Sequence, residues 1–197
     1  MIKLDTPAAE EALRHGFHRF NKFMLLNWRL GLGPLFNVWP GGFGRFVVIV
    51  HKGRKSGRVY QTPVNYAPID GDIYCTAGFG AGSDWYRNLQ ANPDVELWLP
   101  DGRWQAHATD VSDAENRLSL LRQVLIGSGF AAPMMGVDPH TLSDEALAAA
   151  TASYRLVRFQ RVAPATGPGG PGDLAWLWPQ IALFLLPLLL RRRKSRR

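Results

Sequence analysis

FVVIVHKGRKSGRVYQTPVNYA, residues 46–67, decides the fold. Phe46 to Val50 is an unbroken apolar, β-branched run, Val59 to Ala67 is a second strand-forming stretch, and the six residues Gly53 to Arg58 connect them. Two such runs around a glycine-bounded connection predict a β-hairpin. Working outward, Asp70-Gly71-Asp72 predicts the next turn, Ile73 to Phe79 a third strand and Val95 to Leu99 a fourth. Asp101-Gly102 turns into a fifth strand over Arg103 to Thr109, and Tyr154 to Val162 is the last. Ser83 to Ala91 reads as a short helix stopped by Asn92-Pro93. Ser112 to Leu125 reads as a longer one, with Ala114, Leu118, Leu121 and Leu125 on one side and Gly127 and Gly129 at its end. Six strands joined mainly by hairpins leave fewest exposed edges when they close, so the expected architecture is mainly β with flanking helices, an antiparallel β-barrel over 44–162. No internal repeat of about 20 to 50 residues suggests a solenoid.

Upstream, Thr6-Pro7 opens a predicted helix to Leu30, with Glu10 and Glu11 in its first turns. Leu13, Phe17, Phe20, Met24 and Trp28 recur at steps of three and four and form one stripe, so region 1–30 is an amphipathic helix that docks on the barrel or on a membrane surface. Residues 1–20 mix charged and apolar side chains and lack a signal-peptide core. Downstream, APATGPGGPG, within 163–173, is a linker by composition. Leu174 to Leu190 follows with 17 residues free of charge. As a helix they span roughly 26 Å, just short of a hydrocarbon core of about 30 Å. Pro179 and Pro187 interrupt that helix, and a basic tail follows it. Such a tail prefers the cytoplasmic side. Region 174–197 is therefore expected to lie in the membrane interface on the cytoplasmic side, packing on the domain or in an oligomer being the alternative.

Charge follows the same division. The chain carries 23 basic and 16 acidic residues. Six of the bases are Arg191, Arg192, Arg193, Lys194, Arg196 and Arg197, so the body holds 17 bases against 16 acids. A neutral body has no field for a polyanion, and no nucleic-acid partner is expected. Cys75 is the single cysteine, which excludes an internal disulfide and any multi-cysteine metal site. His15 and His18, His51, His107 and His140 form no ligand pattern in sequence, and no metal is expected.

Two constellations carry chemistry. Gly53-Arg54-Lys55-Ser56-Gly57-Arg58 sets three cations and a hydroxyl between glycines, an arrangement that suits a phosphate or carboxylate. A solvated surface hairpin accounts for the bare pattern as well, and the Walker A spacing is absent. Gly78-Phe79-Gly80-Ala81-Gly82 feeds a helix whose first turn is Asp84-Trp85-Tyr86-Arg87-Asn88. Its glycines admit a planar ring close to the backbone, whereas a Rossmann reading needs a parallel βαβ context that the hairpins contradict.

Taken in order, Gly53-Arg54-Lys55-Ser56-Gly57, then Thr62-Pro63, then the glycine loop with Asp84 to Leu89 and Ala91-Asn92-Pro93, the chain resembles the deazaflavin (coenzyme F-420)-dependent nitroreductase family from about Phe46 to Asp110. The resemblance implies a split antiparallel β-barrel of the FMN-binding-like kind and a deazaflavin that donates hydride. It implies that Arg54, Lys55 and Ser56 hold the phosphate and glutamate tail, and that Tyr60, Gln61, Thr62, Pro63, Val64 and Asn65 run beside the cofactor. Thr76, Ala77, Gly78 and Phe79 would face the ring with backbone groups, and Asp84, Trp85, Tyr86, Arg87 and Asn88 would complete the cradle. Two departures stand out. Some members carry a lysine near Phe79, and the substrate-side tyrosines of the nitroimidazole-reducing members have no counterpart within Phe130 to Ala152. Phe130, Met134 and Met135 offer an apolar lid or simply core.

The expectation is a membrane-associated reductase that passes hydride from reduced F-420 to a small or lipophilic acceptor such as a quinone, enone or nitro compound, with a homodimer implied by barrel relatives. Rivals are an FMN-dependent oxidoreductase on the same barrel and a non-catalytic deazaflavin- or lipid-binding protein. The catalytic proton donor is left open.

Overall fold

The computed structural model describes residues 7–39 and 41–194, with side chains for these except 7–15, 17, 18 and 186–194. Six strands, β1 (Phe46–Lys52), β2 (Val59–Ile69), β3 (Asp72–Ala77), β4 (Asp94–Leu99), β5 (Gly102–Asp110) and β6 (Arg155–Pro164), close in the order β1-β2-β3-β6-β5-β4. Every pairing is antiparallel. The expected closed antiparallel barrel with flanking helices is therefore observed. The β2–β3 turn shows why the chain doubles back where it does. Asp70 and Gly71 have φ of 51° and 87°, the left-handed pair that matches the twist of a two-residue hairpin.

Alternation along the strands divides the barrel into an inside and an outside. Val47, Ile49, Tyr66, Ile73, Cys75, Leu97, Ala106, Val157 and Phe159 fill the interior. Cys75 is fully buried there, and burial pushes its thiol well above the usual range, so it behaves as a small apolar residue. Outside, Ala67, Ile69, Tyr74 and Leu156 pack under α3 (Arg117–Gly127) and α5 (Asp144–Ala150) through Leu121, Val124, Leu125 and Leu147. On the opposite flank, α1 (Pro7–Arg29) packs Trp28 against Val48 and Trp98. The helix α2 (Asp84–Ala91) contributes Tyr86 and Leu89 to the interior cluster.

Along the predicted stripe of α1, Met24 and Trp28 are fully buried and Phe20 half-buried, so these turns dock on protein. The side chains of Leu13, His15, Phe17 and His18 lie outside those described. Phe23 and Leu26 are exposed. Several element boundaries differ from expectation, and two short helices are added. β3 stops at Ala77 because Gly78 and Phe79 already belong to the turn. α3 begins at Arg117 rather than Ser112, because the Ser112 hydroxyl accepts from Leu156 N–H and donates to Asp110, which ties it to β6 instead of capping a helix. Between α3 and β6 the chain adds α4 (Ala131–Met134) and α5, the latter capped by Ser143, whose hydroxyl accepts from Ala146 N–H at 3.2 Å.

The segment after β6 is held by its backbone. Arg103, itself paired with Glu96 at 2.7 Å, donates to the carbonyls of Gly167 and Gly169. Asp173 then receives Arg29 in a two-pronged contact at 2.9–3.1 Å, and Gly172 and Leu174 N–H donate to the Trp28 and Arg29 carbonyls. From this root the last helix, α6 (Leu177–Lys194), runs with Ile181, Leu183, Phe184 and Leu185 exposed. Among the described residues no helix is long and apolar enough to cross a membrane.

Candidate functional site

The β1–β2 connection is a tight, self-bonded loop. Gly53 N–H donates to Arg58 O at 2.8 Å and Gly57 N–H to Gly53 O at 2.9 Å. Gly57 sits at φ +67°, and a Cβ on Gly53 would stand 2.6 Å from the Tyr60 ring, which explains both glycines. Ser56 and Tyr60 hydroxyls meet at 3.1 Å, and Ser56 Oγ accepts from Arg58 N–H. The three cations then diverge. Arg54 turns to α2, where its backbone N–H and Nη1 donate to Asn88 Oδ1 at 3.1 and 2.9 Å and both terminal nitrogens reach Asp84 Oδ1 at 3.1 Å. Lys55 and Arg58 project into solvent, and neither side chain has a salt bridge or hydrogen bond to another described residue. Asp84 is largely exposed, so its pairing with Arg54 is worth no more than about 1 kcal/mol; the bonds to buried Asn88 fasten the loop more firmly.

Beneath the loop lies His51, 4% exposed at the end of β1. Its Nε2 is 3.0 Å from Thr62 Oγ1, its Nδ1 is 3.3 Å from Asn88 Nδ2, and Tyr60 stacks over it at 6.0 Å with a 22° tilt. Burial pushes the imidazole down to about 4, so the ring is neutral at physiological pH.

The second wall is the glycine loop. Gly80 has φ +60° and a Cβ there would stand 2.4 Å from the Ser153 carbonyl oxygen, so only glycine fits. Arg87 folds back and donates through Nε to Ala81 O at 2.7 Å. A Cβ on Gly82 would meet nothing within 4 Å, and one on Gly78 would find only the Tyr154 ring, 3.8 Å away. The loop surface is therefore open to a flat group approaching the backbone.

The structure distributes the expected residues among different tasks. Arg54, Ser56, Tyr60, Thr62, Asp84 and Asn88 are linked by contacts that run through or beside His51, whereas Lys55 stands in solvent on the same loop. Val64 and Ala77 point into the barrel interior, Pro63 is buried and Gln61 is exposed. Asn65, farther along β2, donates to Arg45 O at 3.2 Å. Thr76 donates its hydroxyl to Arg155 O, and Phe79 is partly exposed. Trp85 packs half-buried on the core, and Tyr86 is buried with its phenol donating to Asp110. Burial, and then that bond, push Tyr86 up to about 12; against burial, the hydrogen bonds from Ser112 and Tyr86 hold Asp110 below its usual range. Phe130 and Met134 are exposed, which removes them from the core, and Met135 is half-buried.

Two residues gain importance that the motifs alone did not give them. His51 is one isolated histidine among five in the sequence, and its partners are 11 and 37 positions away. Tyr154 lies two residues beyond the stretch Phe130 to Ala152, which holds no tyrosine. The ladder pairs Ala77 with Arg155, which continues to Tyr154 beside Gly78, and burial raises its phenol. His107 pairs with exposed Asp94 at 2.8 Å, and His140 is exposed. Among the described residues no three potential ligands gather as a metal site.

Lys55 and Arg58, without a partner among the described residues, suit an anionic group, and the unhindered backbone at Gly78 and Gly82 suits a flat one. Three solved structures illustrate what the chain is similar to. An F420-H2-dependent reductase shares 18% identity over 58% of this chain and 93% of its own, with a TM-score of 0.44. A conserved hypothetical protein from Mycobacterium tuberculosis shares 18% over 69% and 90%, with a TM-score of 0.42. The haem storage protein from Vibrio cholerae shares 16% over 68% and 87%, with a TM-score of 0.41. No curated protein matches this chain. A family model described as F420H(2)-dependent quinone reductase does match residues 36–138, just over half of the 197. That match spans the basic loop, the glycine loop and α2, and the protein accordingly belongs to the F420H(2)-dependent quinone reductase family of oxidoreductases.

Proposed function

We propose that the protein takes reducing equivalents from reduced coenzyme F-420 and delivers them to a quinone-type acceptor. The carrying observation is the pair of unpartnered cations, Lys55 and Arg58, on a loop strapped by Arg54 to the helix that follows the glycine loop. When bound, the deazaflavin supplies the hydride chemistry; the chain supplies place and orientation. Lys55, Arg58 and Ser56 receive the phosphate and carboxylate end. Arg54 keeps that loop against Asn88 and Asp84, and the open backbone at Gly78 and Gly82 receives the ring edge. Tyr154, packed beside Gly78, bounds the ring end and keeps bulk water from that side.

Exposed Trp176, Trp178, Ile181, Leu183, Phe184 and Leu185, followed by the basic run from Arg191, support an interfacial position of α6 on an anionic, cytoplasm-facing membrane. A lipid-soluble acceptor is the partner that such a position would serve, and a homodimer completes the proposal. The experiment is a fluorescence titration of the detergent-purified protein with coenzyme F-420, with FMN as competitor. It is followed by reoxidation of the reduced form with a menaquinone analogue or a nitroaromatic. Micromolar F-420 binding and quinone-dependent reoxidation are expected. FMN binding without F-420 binding would refute the cofactor, and binding without turnover on any acceptor would leave a carrier.

A further inference from the structure

The donors of Arg54 determine the orientation of one buried amide. Its backbone N–H and its Nη1 both reach the same atom of Asn88, at 3.1 and 2.9 Å. Two groups that can only donate require an acceptor, so this atom is the carbonyl oxygen and the other is the amide nitrogen. That nitrogen lies 3.3 Å from His51 Nδ1. An NH2 group only donates, so Nδ1 is a bare acceptor and the single proton of the neutral ring sits on Nε2, where it is given to Thr62 Oγ1 at 3.0 Å.

The hydrogen bonds therefore run in one sense, Asn88 to His51 to Thr62, with Arg54 closing the amide at the other end. Reversing any member reverses the others: a proton on Nδ1 would face the amide NH2, and a turned amide would face its NH2 toward two Arg54 donors. His51 and Asn88 are 4% and 5% exposed, so water is not at hand to repair a mismatch. Tyr60, bonded to Ser56 of the same loop, covers the imidazole.

We propose that His51 is a positioning residue of the basic loop: its Nε2-protonated tautomer keeps the Asn88 carbonyl toward Arg54 and so presets the segment that carries Lys55 and Arg58. The proposal rests on reading that loop as the anion end of the cofactor site. A loop already seated loses less freedom when a ligand arrives, which is where the gain in affinity arises.

Nitrogen NMR of the full chain tests the tautomer, with Nδ1 expected unprotonated and Nε2 protonated at neutral pH. In Asn88→Asp the carboxylate still accepts from Arg54 but cannot donate, so the ring proton is expected to move to Nδ1, a signature that loss of packing alone would not produce. In His51→Phe, which keeps a ring under Tyr60 but removes both nitrogens, exchange of the Arg54 amide is expected to quicken about fivefold, the worth of one typical hydrogen bond, while that of Leu97 in the barrel stays put. Affinity for coenzyme F-420 should fall by a similar factor. A wild-type Nδ1 that carries a proton, an Asn88→Asp ring that keeps its proton on Nε2, or unchanged Arg54 exchange would overturn the proposal. So would quickened Arg54 exchange with unchanged affinity. Failure of the wild-type protein to bind F-420 would instead sink the cofactor reading, and the NMR outcomes would still decide the role of His51 in seating the loop.

Discussion

Lowering the pH from 7 to 5 should unfasten this barrel through a single imidazole. Burial holds His51 at about 4 in the folded protein, against an ordinary value of 6.5 for the unfolded chain. A group whose folded value lies below its unfolded value binds its proton more readily when unfolded. Its contribution is therefore complete above pH 6.5 and is lost as the pH falls toward 4. Over the roughly 1.5 units between 6.5 and 5, at about 1.4 kcal/mol per unit, the loss is about 2 kcal/mol, or about 4–8 °C in melting temperature for a chain of this size. Glu96 and Asp110, held below their usual range, contribute little in this window, because their unfolded counterparts titrate near pH 4. The other four histidines are common to any pair of variants. The assay is calorimetry at pH 7 and pH 5 on the wild-type chain and on His51→Gln, which is less stable at both but lacks the titration. The wild-type protein should lose about 2 kcal/mol more than the variant across the window. Parallel losses would show that the imidazole is not buried neutral, and the reasoning built on its tautomer would fall with it.

Three further outcomes follow from the same geometry. Lys55→Ala and Arg58→Ala should each weaken F-420 binding about tenfold and flatten its salt dependence, as measured by titration from low to high ionic strength, while leaving the melting temperature within about 2 °C, since neither side chain has a partner to lose among the described residues. Gly80→Ala should cost about 2–3 kcal/mol in chemical denaturation, because its backbone is left-handed at φ +60° and the new Cβ would stand 2.4 Å from the Ser153 oxygen; an unaltered midpoint would show that the loop shifts freely. Asp173→Ala should release the root of α6 from Arg29, seen as faster proteolytic cutting within 165–173 with the barrel intact.

The strands were legible because each is a short apolar run closed by a turn residue, and hairpins need only local signals. Asp70-Gly71 shows how local: two residues set the turn, and the register of β2 on β3 follows from them. The place of β6 was not legible in the same way. It enters between β3 and β5, more than 70 positions from the strand it meets first, and no nearby pattern announces that pairing. The same gap concealed Tyr154, whose position beside Gly78 is a property of the β3–β6 ladder. α5 was not foreseen although Ser143 followed by Asp144 and Glu145 is an ordinary helix start, because its seven residues are too few to show an apolar stripe. The glycine- and proline-rich segment after β6 shows the limit of composition. It lacks side chains that pack, yet its carbonyls satisfy Arg103 and its end meets Arg29.

Residue type and spacing identified where charge would collect, but partners decide what each charge does. Arg54, Lys55 and Arg58 are equivalent in the sequence, three cations within five positions. In the fold Arg54 is committed to Asn88 and Asp84, so replacing it would loosen the loop as well as remove a charge, whereas Lys55 and Arg58 keep theirs available. Tyr86 and Tyr60 divide in the same manner, one phenol committed to Asp110 inside the barrel end and the other lying over His51 at its rim. A variant series across the loop should therefore separate into two behaviours. Arg54→Ala should lower stability and affinity together, and Lys55→Ala affinity alone. If the two variants proved indistinguishable in both measurements, the division of labour argued from their partners would be wrong.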